Sequence, residues 1–463
     1  MTHPLPTHDP RWRADPLADD TITRVLKALD SEARPWEGLD TLSRQIEAWQ
    51  RNGDLATWQP DPQALPGDAG RAVRDYLDQA ARLPDWADAG RIDRAEALFM
   101  GQGPLSCLLL FCASLPECYV RPDLAAVLHA AGQLEQHTDY RIRMTAAMIF
   151  PAMMEGGLTD PAGGGVAQVL KVRLIHASIR HLVLRGSPEA LLASHDRHRP
   201  RLYHAPAPGT RAMHYAMWRQ GWDVDRAGLP CNQEELAYTL LTFHYVFLRG
   251  MRTLRLGLPP ADEAAYLHTW NVVGALLGIE PGLMPQDMDS AAAQFQALQA
   301  RGEVPRHNEA PRPALARALM GAMTDTLPLH ALRDVPTLLT RHLCGRDVAK
   351  LLGLDGRTAW ASRLVFWGGL GLTRLIDGIA RWLWPGFSLS RLFCRILGYH
   401  TLTGLLMDQT RPLKLPSHLL LQIHTTAHHW SEDAHAPAWA RALEDRLTTS
   451  GSWVPAASAA DPV

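Results

Sequence analysis

Two side chains one helical turn apart carry the most chemical information in this sequence. They are His176 and Arg180, inside the run VAQVLKVRLIHASIRHLVLRG at residues 166–186. On a helical wheel His176 shares its face with Val169, Val172, Ile179, Arg180 and Val183. Apart from the arginine, those neighbours are β-branched and apolar, so the face is expected to point at a core. A core histidine is most simply a packing residue whose ring nitrogens neighbours satisfy. A buried guanidinium is more demanding, because desolvating an unpaired charge is costly. It needs a carboxylate, supplied by a protein Asp or Glu or by a cofactor propionate. With a protein carboxylate, Arg180 is half of an internal salt bridge. With a propionate, the pair is half of a b-type haem site, His176 on the iron and Arg180 on the propionate.

The element that positions this pair is a helix of about 20 residues, or ~30 Å. A turn-rich stretch, Gly156–Gly165, precedes it, and Gly186 is its expected stop. The rest of the chain reads the same way. Apolar residues recur at i, i+3, i+4 and i+7, alternating runs are rare, and Ala, Leu, Arg and Glu dominate. The expected class is all-α, a large single helical domain with extra N- and C-terminal helices. Helices are expected over 20–30, 40–50, 68–82, 92–113, 122–134, 138–150, 166–185, 234–256, 261–277, 288–301, 312–323, 335–352, 359–383, 389–407 and 434–447. Residues 1–18 and 451–463 read as tails, 19–89 as a helical extension, 90–410 as the main domain and 411–450 as C-terminal helices. Residues 186–219, rich in Pro, His and Arg, read as an insertion.

Composition narrows the functional classes. The 463 residues carry 46 Lys plus Arg against 48 Asp plus Glu, a net charge of −2. That balance argues against a nucleic-acid partner, which calls for a basic surface. The chain has no P-loop, no G-x-S-x-G and no dinucleotide fingerprint. Its six cysteines form no C-x-x-C pair and are too sparse for a disulfide scaffold, so a reduced chain is expected. The N-terminus, MTHPLPTHDPRWRADPLADD, lacks a basic n-region and an apolar core, so a cytoplasmic location is expected. The apolar stretch 104–115 is too short to span a bilayer. The stretch 359–384 carries Arg363, Arg374, Asp377 and Arg381, and reads as an amphipathic helix against the core. Its alternative is a membrane-surface helix, since Arg381, Trp382, Trp384, Arg391 and Arg395 mix cations with aromatics.

Other candidates have structural and chemical readings side by side. Asn232 followed by Glu235 is a capping-box pattern at a helix start. His244 shares a face with Leu240, Leu241, Phe247, Leu248 and Met251, either as packing or as a pocket group beside a cofactor. His268 reads as core. His424 and His428, with Glu432 one turn on, have the spacing of a helical metal pair but lack H-E-x-x-H. The group His195, Arg197, His198, Arg199, Arg201 and His204 reads as a solvated loop.

Three blocks, in order, resemble a known family. They are G-G-L-x-x-P-x-G-G-G followed by V-R-L-I-H-A-S-I-R, then Gly228–Glu235 (GLPCNQEE) followed by LAYTLLTFHYVFLRGMRTLRLGL, then AYLHTWNVVGALLGI at 265–279. Together they are similar to the catalytic domain of the latex-clearing protein (rubber oxygenase) family, shared with the oxygenase of the mycophenolic acid pathway, over roughly residues 90–330 and perhaps to 410. The resemblance implies a mostly helical fold with a globin-like core, one haem b, and O2-dependent cleavage of carbon–carbon double bonds in isoprenoid-like substrates. It places His176 as the iron ligand and Arg180 beside it. Relatives also carry R-x-x-K-T on an upstream helix, which here reads Arg141-Ile142-Arg143-Met144-Thr145, with Met144 where they have Lys. A thioether either ligates iron or packs, so the distal side is open to five-coordinate iron or a bound water. The insertion at 186–219 and the absence of a secretory signal are further departures. Alternatives at this stage are a haem protein without turnover and a cofactor-free helical interaction or membrane-surface protein.

Overall fold

The computed structural model describes residues 8–122, 124, 125, 127, 138–193, 217, 218, 222–301, 312–325, 327, 332–383 and 442. Helices begin where the chain supplies a cap or a proline. α1 (Pro16–Ala28) opens on Pro16 with Asp15 accepting from the Ala18 amide, and α2 (Pro35–Ile46) also has proline in its first turn. α3 (Asp68–Ala80) and α4 (Ala89–Gly101) follow. α5 (Gly103–Leu109) runs through a π-helical turn, Leu110–Ser114, into α6 (Leu115–Val120). Then come α7 (Thr138–Met153), α8 (Gly165–Leu184), α9 (Gln233–Phe243), α10 (Tyr245–Thr253), α11 (Pro260–Leu276), α12 (Met288–Arg301), α13 (Arg312–Thr324), α14 (Val335–Cys344) and α15 (Trp360–Leu383). Short helical turns connect several of them, and no strand occurs among the described residues. The all-α expectation is met.

α8 is the axis of the molecule. α1, α2, α7 and α11 all pack against it, and α1 and α11 rest in turn on α3 and α4. One apolar core runs through these helices, with Val169, Leu170, Leu174 and Ala177 of α8 inside it.

Three expected helices are broken, the simplest being 335–352, which Gly345 (φ 91°) divides into Val335–Cys344 and Arg346–Leu351. The run expected over 92–113 turns at Gln102 and widens at Leu110–Ser114. Pro116 has no N–H for the Cys112 carbonyl four residues back, and the Cys344 thiol lies 3.6 Å from that oxygen instead. The π turn, closed by the Leu115 amide on the Leu110 carbonyl, absorbs the misfit. The run expected over 234–256 breaks at His244, between α9 and α10, and both halves pack on the π turn. Expectations for 128–134, for most of 186–219 and for the helices 389–407 and 434–447 fall largely or wholly outside the described residues.

No single described helix is long and apolar enough to cross a membrane. A pair bent by 89°, Ala89–Gly101 with Leu105–Val120, reaches that threshold by length and composition only. Leu105, Leu108 and Leu109 of its second limb are fully buried in the core.

Candidate functional site

The loop before α8 is held by two side chains the sequence did not single out. Asn52 donates to the carbonyls of Gly157 (2.9 Å) and Asp160 (2.8 Å), and its side-chain oxygen accepts from the Ala167 amide, capping α8. Glu96, fully buried, accepts from the amides of Gly156 (2.8 Å) and Leu158 (3.2 Å). Burial raises the Glu96 carboxyl to about 7, even though both amide bonds favour its charged form. The glycines are needed for contact. A Cβ on Gly157 would sit 2.2 Å from the Pro151 carbonyl oxygen, and one on Gly163 2.2 Å from that of Gly156.

One flank of α8 is closed by ion pairs to α1. Arg173 reaches Asp15 at 2.5 and 2.8 Å, and Arg180 reaches Asp19 at 2.8 and 3.0 Å. The seven-residue spacing on α8 and the four-residue spacing on α1 make two rungs of one ladder. Arg180 also donates to the Cys231 carbonyl at 2.8 Å, which ties in the turn before α9. The carboxylate that a buried guanidinium requires is therefore Asp19, and only Nη2 of Arg180 lacks a partner. His181, next on this flank, is 2.9 Å from both the Ala177 carbonyl and the Thr23 hydroxyl.

The other flank is more open. Val172 and Ile179 are half-buried and Ile175 is 38% exposed. His176 sits at the boundary. Val169 and Val183 enter the core as expected, but the imidazole itself is half-buried rather than engulfed. Its Nδ1 is buried with no hydrogen-bond partner. The ring still lies deep among protein atoms. That burial, with the Arg180 charge one turn on, lowers it to about 4 and keeps it neutral at pH 7. A neutral imidazole is the form that binds a metal. The residues thus fit an iron porphyrin on one point of geometry: an unsatisfied neutral imidazole bordering an incompletely covered apolar strip.

The remaining candidates separate. Arg141, Met144 and Thr145 lie on α7, the helix packed directly on α8. Thr145 is half-buried, whereas the side chains of Arg141 and Met144 are outside the described residues. His244 is fully buried, neither ring nitrogen has a partner, and burial lowers it to about 3. Asn232 caps α9 through the Glu235 amide at 2.9 Å, as its pattern predicts. His268 is half-buried at the edge of Trp86, and its Nε2 accepts from the Asp88 amide at 2.9 Å, so it fastens a loop rather than filling the core. The cluster at 195–204, and His424, His428 and Glu432, fall outside the described residues. No His, Cys, Asp or Glu cluster able to hold a metal ion occurs among the described residues.

Asn52, Glu96, Asp15, Asp19 and Arg173 escaped the sequence reading because each acts across the fold. The one available signal was Arg173, which shares a face with Arg180 seven residues later and so makes the same demand for a carboxylate.

Residues 96–375 match the family described as ER-bound oxygenase mpaB/B′/rubber oxygenase, catalytic domain. The chain is 25% identical over 332 residues to the rubber oxygenase of Streptomyces sp. (strain K30), covering 69% of this chain and 71% of that protein. The solved structure of latex clearing protein LCP in the closed state shares the fold. Its TM-score is 0.62 at 20% identity, over 88% of this chain and 95% of that one. The match begins near the expected residue 90 and ends between the two limits expected for it. With more than half its length inside the matched region, this chain belongs to the mpaB/rubber oxygenase catalytic-domain family.

Proposed function

We propose that this protein is a haem-b-dependent oxygenase that uses O2 on a hydrophobic, unsaturated, isoprenoid-like substrate. The observation that carries the reading is His176: a neutral imidazole with a buried, partnerless Nδ1, beside a half-open strip of Val172, Ile175 and Ile179. The family supplies the reaction class, and the rubber oxygenase relative supplies the substrate class.

Haem b, when bound, supplies the iron chemistry that activates O2 toward a carbon–carbon double bond. The chain's own part is to hold and shield it. His176 is the proposed iron ligand, kept unprotonated chiefly by burial and in addition by the Arg180 charge, whose ion pair to Asp19 fixes the rotation of α8. The Nη2 of Arg180 is the one nitrogen left for an acidic group of the cofactor. Arg141, Met144 and Thr145 are the proposed α7 contribution. His244 is the proposed second histidine near the cofactor, because its ring nitrogens are both unsatisfied in an otherwise apolar surrounding. The apolar strip excludes water and receives the substrate.

The test is an absorption spectrum of the purified protein, oxidised and reduced, for wild type and His176→Ala, with haemin added to cofactor-free material. The expected result is a Soret band that is lost or shifted in the variant. A colourless wild type that takes up no haemin, or a variant spectrum identical to wild type, would overturn the assignment. Oxygen uptake with an isoprenoid alkene then separates an oxygenase from a haem protein without turnover.

A further inference from the structure

The most exposed large apolar side chains of the described residues gather on one helix far along the chain from His176. On α15, Trp360 is 77% exposed, Leu364 65% and Trp367 49%. They stand at i, i+4 and i+7, so they form one stripe. Ser362 and Phe366, on the opposite side, are buried, and Phe366 and Trp367 meet His342 of α14 edge-on. α15 is thus docked by one face with its second apolar face bare.

The chemistry of the bare face is specific. Arg363, described beside that stripe, is followed in the sequence by Arg374 and Arg381, eleven and then seven residues on, a spacing that recurs with the helical repeat. Arg363 is exposed. Within α15 one acid, Asp377, opposes those three arginines. Protein-facing stripes favour aliphatic residues, whereas tryptophan with a bordering row of arginine suits a headgroup boundary: the indole has an apolar body and a polar N–H, and the guanidinium reaches phosphate from an apolar stem.

We propose that α15 lies in the plane of an anionic lipid bilayer, with Trp360, Leu364 and Trp367 inserted and the Arg363 flank on phosphate headgroups. The net charge of −2 makes the whole molecule a poor ligand for such a surface, so binding is local to this helix. This placement is independent of the proposed haem site. For an enzyme whose substrate is apolar, it brings the protein to the phase in which that substrate dissolves.

The test is flotation of the full chain with vesicles of phosphatidylcholine alone and with about a third phosphatidylserine. Three proteins are compared: wild type, the triple variant Trp360→Ser, Leu364→Ser, Trp367→Ser, and the charge variant Arg363→Glu. All four substitutions are at exposed positions, and helicity by circular dichroism checks the fold. Wild type is expected to float with the anionic vesicles, weakening several-fold between about 0.1 and 0.5 M salt. The triple variant is expected to lose about tenfold or more in partitioning and the charge variant several-fold. Wild type remaining unbound, or variants that bind as well as wild type, would overturn the proposal. So would a dimer of wild type that the triple variant dissolves, which would make a second copy the occupant. A triple variant that melts well below wild type would overturn it too, by assigning the face to the protein's own core.

Discussion

His181 and His176 lie five residues apart on α8, and their rings meet opposite surroundings. His181 is buried, with a carbonyl on one nitrogen and a hydroxyl on the other. His176 is half-buried, and its buried Nδ1 has nothing. The flank that holds His181 also carries Arg173–Asp15 and Arg180–Asp19, so each charge there has its counter-charge. The flank beyond His176 is apolar and incompletely covered. Folding alone accounts for the first flank. On the second, a buried ring nitrogen is left without a partner at the edge of an apolar strip, a cost that folding by itself does not recover. The difference separates a histidine whose two ring nitrogens are both met by the fold from one with a buried nitrogen left over.

The largest effect expected from attacking the closed flank is that of Arg180→Ala. It leaves Asp19 buried without its cation, and burial already raises that carboxyl against the pull of Arg180. Denaturant unfolding should show a loss of about 3–5 kcal/mol, with a smaller loss in the Arg180→Met, Asp19→Leu double variant. If Arg180→Ala is near neutral, the ladder does not hold α1 to α8.

Next comes Glu96 under the loop. Its folded carboxyl stands at about 7 against an ordinary 4.5, so the folded state grips this proton more tightly than the unfolded chain does. The stability this lends is complete below pH 4.5 and is lost as pH rises through 7, by up to about 3 kcal/mol. The three neutral histidines act with the opposite sign. His176, His181 and His244 are lowered to about 4, 4 and 3, chiefly by burial, so their contribution is complete above 6.5 and declines as pH falls toward those values. Glu96→Gln should therefore remove the falling arm on the neutral side of the stability–pH curve while leaving the acid arm. An unchanged curve would mean that the carboxyl titrates normally.

The two histidines provide a direct contrast. In cofactor-free protein His181→Ala should cost about 2–3 kcal/mol, since two hydrogen bonds and packing are lost. His176→Ala should cost about 1 kcal/mol or less, having no hydrogen bond to lose. Equal costs would mean that the two rings are held alike by the fold. Between these two stands Asn52→Ala, expected to cost about 1–2 kcal/mol by thermal unfolding, for loss of the α8 cap and its loop bonds.

Much of this was legible in the chain. The 3.6-residue periodicity found α8 to within a residue or two, and the Asn232 cap followed from its pattern. The demand of Arg180 for a carboxylate was also legible, but its identity was not, because Asp19 lies 161 residues away. The stop of α8 was read at Gly186, yet Arg185 takes the left-handed conformation (φ 57°), with its guanidinium over Trp218 and donating to that residue's carbonyl. The breaks at Gln102 and His244 were missed because apolar periodicity continues across both, and only packing between the π turn and the α9–α10 junction reveals them.

What the sequence determined alone was local: helical class, the extent of α8, the amphipathic character of α15, and the pairing of an imidazole with a guanidinium one turn apart. These depend on residues within about seven positions of one another, where spacing along the chain is spacing in space. Tertiary structure decided which of those side chains found partners. Asp19 closes on Arg180, Glu96 and Asn52 grip the loop, and His176 is left unsatisfied, because satisfaction of a buried polar atom is settled by groups that only folding brings within reach.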